Sequence, residues 1–310
     1  MLHYWDVLCV ATAAIARPLL SPSPLNRAST AALRASVAEP APLHPLLEAV
    51  CSEELQSVPR HIAVIMDGNS RWAAARGRPT AEGHAAGVEA LRGLIGNCAA
   101  LGAVRELSVY AFSHENWLRP RSEVQALLSL IESVLLAEAD ALLATGVQLS
   151  FVGDLTRLSP ALQRLLARVA ARRPPAEVGE RLRLCVALSY GGRQELARAA
   201  RQLAERAVAQ DISPHEIDED ALSAALREAP HGAPSDPDLL LRTGGQHRLS
   251  NFMLYQCAYT EIVVLDGLWP DFGTAELAGA LREFSRRRRT FGRRDEGGDR
   301  GDGLGLRGST

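Results

Sequence analysis

The run His61-Ile62-Ala63-Val64-Ile65-Met66-Asp67-Gly68-Asn69-Ser70-Arg71-Trp72 decides the fold. From Ile62 to Met66 it is continuously apolar, the pattern of a strand buried on both faces of a parallel sheet. It then breaks into Asp-Gly-Asn, a turn that ends the strand. Outward from this run, similar strands are predicted at 107–112, 147–152, 182–188, 239–241 and 262–265. Helix-patterned segments lie between them, at 85–100, 122–144, 160–171, 194–209 and 219–228. Ser122, with Pro120 just before it, is the expected cap of the second of these helices. Alternation of β and α predicts an α/β fold: a single domain with a central, mostly parallel six-stranded sheet flanked by helices.

Ligands of open α/β sheets bind beyond the carboxyl ends of the strands. The residues just past each strand therefore locate a candidate site. Asp67-Gly68-Asn69-Ser70-Arg71-Trp72 comes after the first, and Ser113-His114-Glu115-Asn116-Trp117-Leu118-Arg119 after the second. Gly153-Asp154 comes after the third and Ser189-Tyr190-Gly191-Gly192-Arg193 after the fourth. The fifth leads into Arg242-Thr243-Gly244-Gly245-Gln246-His247-Arg248-Leu249-Ser250-Asn251. Polar, glycine-rich turns are ordinary in such folds. Tryptophans beside arginines and a lone carboxylate are not. Glycine lets backbone N–H groups approach an anion, and helix N-termini add partial positive charge. The site is expected to hold a multiply phosphorylated ligand with an apolar portion, with Asp67 placed to carry a divalent cation.

Composition narrows the chemistry. The 310 residues carry 34 basic and 36 acidic side chains, a net charge of −2, which argues against a dedicated nucleic-acid binder. Every basic residue is arginine; lysine is absent. Walker A phosphate binding and Schiff-base chemistry are thereby excluded, and any charged grip on phosphate must come from arginine or histidine. Cys9, Cys51, Cys98, Cys185 and Cys257 are scattered without a C-x-x-C pair, which reads as reduced structural thiols.

The motifs resemble those of the cis-prenyltransferases, the undecaprenyl and dehydrodolichyl diphosphate synthases. The resemblance runs over about residues 57–292. It rests on the 61–73 segment, on Gly83-His84-x-x-Gly87, on Tyr110 to Pro120, on Arg242 to Phe252, and on Trp269-Pro270-Asp271-Phe272. It implies a Z-type polyprenyl diphosphate synthase, a prenyl-group transferase that condenses isopentenyl diphosphate onto an allylic diphosphate such as farnesyl or geranyl diphosphate, with Mg²⁺. It further implies that Asp67, Gly68, Asn69, Ser70, Arg71, Trp72 and His84 serve the allylic diphosphate. Arg242, Arg248, Leu249 and Ser250 would serve isopentenyl diphosphate, with Asp67 and Glu261 as metal ligands. Ser113, His114, Glu115, Trp117 and Arg119 sit where the family positions substrate. Family precedent offers Asn116 as proton acceptor, although a neutral amide is a poor base and released diphosphate or water serves as well. The chain departs from the family pattern at Ser70, Thr80, Ser189 and Gln246. Arg78 is a candidate substitute for an arginine commonly found at Thr80. The product tunnel is expected along the second strand and the long helices, with Ala111 leaving it open and Leu182 as its end-stop, giving a product of medium length.

Both ends of the chain read differently from its middle. Residues 1–45 are rich in alanine, serine and proline, with Arg17, Arg27 and Arg34 against Asp6 and Glu39. This is the composition of an organelle transit peptide, plastid first, with mitochondrion or endoplasmic reticulum as alternatives. A secretory signal is less favoured, because Asp6 is the only charge before the short apolar core. Residues 46–292 form the expected catalytic domain and 293–310 a disordered tail. Arg289-Thr290-Phe291-Gly292 resembles the R-x-F-G tail that family members extend into a partner's active site, implying a homodimer. Arg286–Arg289 with Arg293 and Arg294 could instead touch anionic lipid, giving peripheral membrane contact. The alternative to an enzyme is a non-catalytic partner subunit of a heteromeric synthase.

Overall fold

In the computed structural model, residues 43–52, 57–228 and 234–287 are described. Residues 1–42 of the expected leader, the tail beyond 292 and the R-x-F-G segment lie outside them, while Pro45, the leader's expected last residue, already opens a helix. Six strands form one parallel sheet: β1 (His61–Ile65), β2 (Glu106–Ser113), β3 (Val147–Val152), β4 (Leu182–Tyr190), β5 (Leu239–Arg242) and β6 (Glu261–Val264), in the order β3-β4-β2-β1-β5-β6. The first run read from the sequence is thus next to the centre, flanked by β2 and β5.

Eight α-helices connect or cover the strands among the described residues. They are α1 (Pro45–Ser52), α2 (Asn69–Ala75), α3 (Thr80–Leu101), α4 (Arg121–Ala144), α5 (Pro160–Ala170), α6 (Gly192–Val208), α7 (Glu219–Arg227) and α8 (Thr274–Arg286). Their starts obey local chemistry. Ser159 caps α5 by accepting the Leu162 N–H, with Pro160 at the first helical position, and Asp218 caps α7 through Ala221. Ser122 does not cap α4. That helix begins one residue earlier, and Pro120, which has no side-chain oxygen to offer, stands at the cap.

Alternate residues of the strands divide between two faces. Ile62, Val64, Leu107 and Val109 point into the larger core with α1, α3, α4, α5 and α8. Ala63, Cys185, Ala187 and Leu240 face Phe252, Met253 and Cys257 on the other side. The small side chains on that face let an irregular segment, 244–260, lie close against the sheet. Behind it, α6 and α7 share a third cluster of Ala199, Leu203, Ala225 and Leu226. Cys98, Cys185 and Cys257 are free and buried, as expected of structural thiols. No helix among the described residues is long and apolar enough to cross a membrane.

Candidate active site

All strands run the same way, so Asp67, the loop after β2, the end of β4 and Arg242 share one edge of the sheet. At its centre the Asp67 carboxylate is held by two guanidinium groups. Arg71, one turn along α2, donates to Oδ1 at 3.1 Å, and Arg242 donates to Oδ2 at 2.9 Å. The Arg242 side chain is only 4% exposed against 28% for Asp67, so one cation is fixed in the wall and the acid faces the cleft. Arg242 also donates to Ser250 Oγ at 2.8 Å and to the Arg248 carbonyl. Two guanidinium groups on one carboxylate leave the cluster positive, before Arg248 is counted, which favours an anion.

The backbone around this cluster is built for close approach. Gly68 has φ 122°, and a Cβ there would lie 3.0 Å from Leu268. Gly244, at φ 82°, lies so close that a Cβ would sit 2.1 Å from Arg71 Nη2 and displace that guanidinium. Arg71 donates to the Gly244 carbonyl at 2.9 Å. Thr243, buried, both accepts the Asp67 N–H at 3.0 Å and donates to the Asp67 carbonyl at 2.7 Å. Thr243 thereby rivets the β1 and β5 turns together. Sequence reasoning misses it, although its place directly after Arg242 is the available signal.

The remaining expected residues separate into groups. His84, near the start of α3, is partly buried, and burial with the nearby Arg119 charge lowers its imidazole pKa despite Glu123. The neutral ring so favoured offers one N–H donor. Ser70 is exposed at the start of α2, beside the Gly68–Arg71 backbone. The Asn69 side chain turns inward instead: its Oδ1 is buried without a hydrogen-bond partner, against the bare Cα of Gly87. Trp72 donates to Asp271 at 2.6 Å and carries the Arg76 guanidinium 4.2 Å above its ring. Arg78, the candidate substitute, is paired with Glu82 at 3.7 Å.

After β2 the chain enters a 3₁₀ turn, His114–Leu118. The register with β4 skips Ala111, a bulge that re-aims the strand end. Ser113 and Asn116 cap one another: Asn116 Oδ1 accepts the Ser113 N–H at 2.9 Å, and Ser113 Oγ accepts the Asn116 N–H at 3.2 Å. The amide oxygen expected to accept a proton is therefore already engaged as a cap, and Asn116 shapes the turn. Trp117 donates to Ser189 Oγ at 2.9 Å and lies under Arg157 at 4.7 Å. Ser189 has φ 49°, a left-handed conformation uncommon for a residue other than glycine or asparagine. His114 pairs with Arg157 at 3.2 Å, Arg119 with Glu123 at 2.8 Å, and Glu115 accepts from Asn251 at 2.8 Å. Leu249, partly buried, packs against the Phe252 cluster, and Arg248 donates to Gln246 at 2.6 Å.

Glu261 is the expected metal ligand that one chain does not bring to Asp67. It opens β6 and pairs in register with Leu239, the first residue of β5, at the amino edge of the sheet. Asp67 lies beyond Ile65, which is level with Arg242. Three residues of strand, about 10 Å, separate those levels. Glu261 instead binds Arg287 at 2.9 Å. Within one chain it cannot share a cation with Asp67, and among the described residues no three His, Cys, Asp or Glu side chains are grouped to hold a metal.

Between α3 and α4, away from the Asp67 cluster, lies a cavity of about 380 Å³ lined by Arg92, Ala137, Glu138, Ala141, Leu142 and Thr145. Arg92 Nε donates to Glu138 at 2.8 Å across this seam. Leu127, Leu128 and Ile131 of the same α4 stripe are only partly buried. Leu182 is fully buried at the amino end of β4.

A parallel α/β sheet that gathers arginines around one partly exposed acid at its carboxyl edge is the architecture of a protein suited to hold a phosphorylated ligand. Within it, the model of the family described as putative undecaprenyl diphosphate synthase matches residues 65–292, and the chain belongs to that family. An isoprenyl transferase of Prochlorococcus marinus is 47% identical over 235 residues, 76% of this chain and 86% of its own. A (2E,6E)-farnesyl-diphosphate-specific ditrans,polycis-undecaprenyl-diphosphate synthase of Xanthomonas axonopodis pv. citri is 44% identical over 256 residues, covering 83% and 94% of the two chains. The crystal structure of lavandulyl diphosphate synthase from Lavandula x intermedia, in complex with dimethylallyl diphosphate, matches with TM-score 0.69 at 34% identity, over 76% of this chain and 98% of that one. A probable undecaprenyl diphosphate synthase from Campylobacter jejuni matches at TM-score 0.60 and 32% identity, over 76% and 99%.

Proposed function

We propose that the protein is a prenyltransferase that condenses isopentenyl diphosphate onto an allylic diphosphate primer, forming a Z double bond at each addition. The observation that carries this reading is the Asp67 carboxylate held between Arg71 and Arg242, with Arg242 also reaching Ser250. The allylic C–O bond breaks, a carbon–carbon bond forms to isopentenyl diphosphate, and one proton leaves the new unit. Negative charge grows on the departing diphosphate, and fixed donors aimed at it lower the barrier. Arg71, the Gly68–Arg71 backbone and the neutral His84 imidazole stabilise that charge. Arg242, Arg248 and Ser250 hold the second diphosphate, so the two polyanions lie side by side at one strand edge. The departing proton goes to released diphosphate or water, since a neutral amide such as that of Asn116, which caps the turn through Ser113, is a poor base.

Mg²⁺ fits this donor set only in part from the protein side. Magnesium is commonly bound through one or two carboxylates together with substrate phosphates. Asp67 supplies one partly exposed carboxylate, and substrate oxygens would complete the shell without Glu261. Bound there, the ion would neutralise charge on the leaving diphosphate.

The growing hydrocarbon runs along the half-buried α4 stripe toward the Arg92–Glu138 seam. The chain acts as a homodimer, supported by the likeness of 289–292 to the R-x-F-G tail and by the exposed Tyr259 and Ile262 near and on edge strand β6. Its product favours peripheral membrane contact, and the arginine-bearing leader favours a plastid; sedimentation, liposome flotation and a fluorescent fusion test these three readings in turn. Incubating the purified protein with farnesyl diphosphate, labelled isopentenyl diphosphate and Mg²⁺ tests the reaction itself. Elongated product that disappears in Asp67→Ala is expected. An inactive wild-type chain would favour the partner-subunit alternative.

A further inference from the structure

Asn251 sits where three strand-end loops meet and uses every polar atom of its side chain. Its carbonyl accepts the Gly192 N–H at 2.7 Å and its Oδ1 accepts the Arg193 N–H at 2.8 Å, tying it to the start of α6. Its Nδ2 donates to Glu115 Oε1 at 2.8 Å and to Gln194 Oε1 at 3.1 Å. Its φ is 64°, left-handed, and Ser250 beside it has φ 47°. Asparagine tolerates this conformation, whereas serine keeps it only where the surroundings hold it. Gly191 completes the fit, since a Cβ there would lie 2.6 Å from Asn251 Nδ2.

These bonds bear on the residue before it. Ser250 is exposed, on an irregular stretch, yet its Oγ accepts from the buried Arg242 at 2.8 Å. Arg242 is fixed by its strand; the Ser250 side of that contact is fixed by the turn at 251. We propose that Asn251 is a positioning residue that couples the Glu115 loop to the Arg248–Ser250 loop and so sets the grip on the isopentenyl diphosphate head. The inference rests on the proposed prenyl transfer in taking that diphosphate as the ligand of Arg242 and Ser250. Glu115 acquires a role by the same geometry. It receives the Asn251 amide, which keeps its carboxylate turned to the bridge.

Four variants separate positioning from mere folding. Asn251→Gly keeps the left-handed backbone but removes the bridge; the KM for isopentenyl diphosphate is expected to rise about tenfold or more, with the allylic KM and the melting temperature little changed. Glu115→Ala is expected to give the same split, the double variant no more than either single one, and Glu115→Gln, which keeps an acceptor oxygen, to restore wild-type values. Unchanged isopentenyl KM in Asn251→Gly would overturn the proposal. So would equal rises in both KM values accompanied by a lower melting temperature. Calorimetric titration with isopentenyl diphosphate reads the same contact without turnover. A wild-type chain that binds it but makes no product would sink the transfer reaction alone, and the affinity ratio of Asn251→Gly to wild type would then decide the coupling.

Discussion

The two edges of the sheet carry similar residues to opposite ends. At the carboxyl edge Asp67 is partly exposed and shares its oxygens with two arginines. At the amino edge Glu106 and His61 are buried beside Ser235, which donates to Glu106 at 2.7 Å and meets His61 Nδ1 at 3.2 Å; His61 Nε2 meets Ser108 at 2.8 Å. Asp238 accepts the backbone N–H groups of Arg60 and His61 at 2.8 and 3.1 Å. The first edge has cations to spare and an open face. The second turns its groups inward, Glu106 bonding through Oε2 while its Oε1 is buried without a hydrogen-bond partner. Acid and base residues at one edge thus face a cleft open to a ligand, and at the other they lie inside the fold.

Substitutions sharpen the contrast. Asp67→Asn removes the charge that organises Arg71 and Arg242, and turnover is expected to fall by about a hundredfold or more, with the urea midpoint nearly unchanged. Arg242→Lys comes next. A lysine cannot reach Asp67, Ser250 and the Arg248 carbonyl together, so kcat/KM is expected to fall roughly tenfold to a hundredfold, chiefly through isopentenyl diphosphate. Across the sheet the effect should move from rate to stability. Glu106→Ala leaves the Ser235 N–H and hydroxyl without their acceptor. A loss of about 1–3 kcal/mol in urea unfolding is expected, with kinetic constants unchanged. A turnover defect in Glu106→Ala, or a large stability loss in Asp67→Asn, would break the comparison.

Much of this division is legible in the residues, and the errors are instructive. Continuous apolar runs locate the strands because a doubly covered parallel sheet leaves no polar face; 147–152 coincides with β3 to the residue. Helix α3 begins at Thr80, five residues before the expected 85, since Gly83, His84 and Gly87 mask its periodicity, the two glycines serving the close packing on Asn69. Helix α2 is hidden inside the polar turn, and α1 and α8 are missing from the sequence expectation. The rule that ligands gather after strands finds Asp67, Arg242 and the 113–119 loop. Glu261 opens its strand, so the same rule, applied there, places it at the amino edge, apart from Asp67 within one chain. Bonds between loops distant in sequence, such as Thr243 to Asp67 and Asn251 to Glu115, leave no periodic trace and need the fold.

The smallest expected effect is a pH dependence that belongs to the closed edge. Burial lowers the His61 pKa below its usual 6.5, while Glu106 and Asp238 oppose the shift. A histidine that holds its proton less tightly when folded takes up a proton on unfolding, so the unfolded state binds more protons and stability rises with pH. The contribution is fully present above 6.5 and erodes as the pH falls toward and through the folded value. His84 is shifted the same way at the other edge, so the two must be separated. His61→Gln should flatten the fall in urea midpoint between about pH 7 and 5, where one proton limits the slope to about 1.4 kcal/mol per pH unit. The same substitution should leave the pH–rate profile where it was. His84→Gln should move that profile, because its imidazole faces the diphosphate in the proposed reaction. If His61→Gln shifts the rate profile and His84→Gln does not, the two edges are coupled and the separation drawn between them fails.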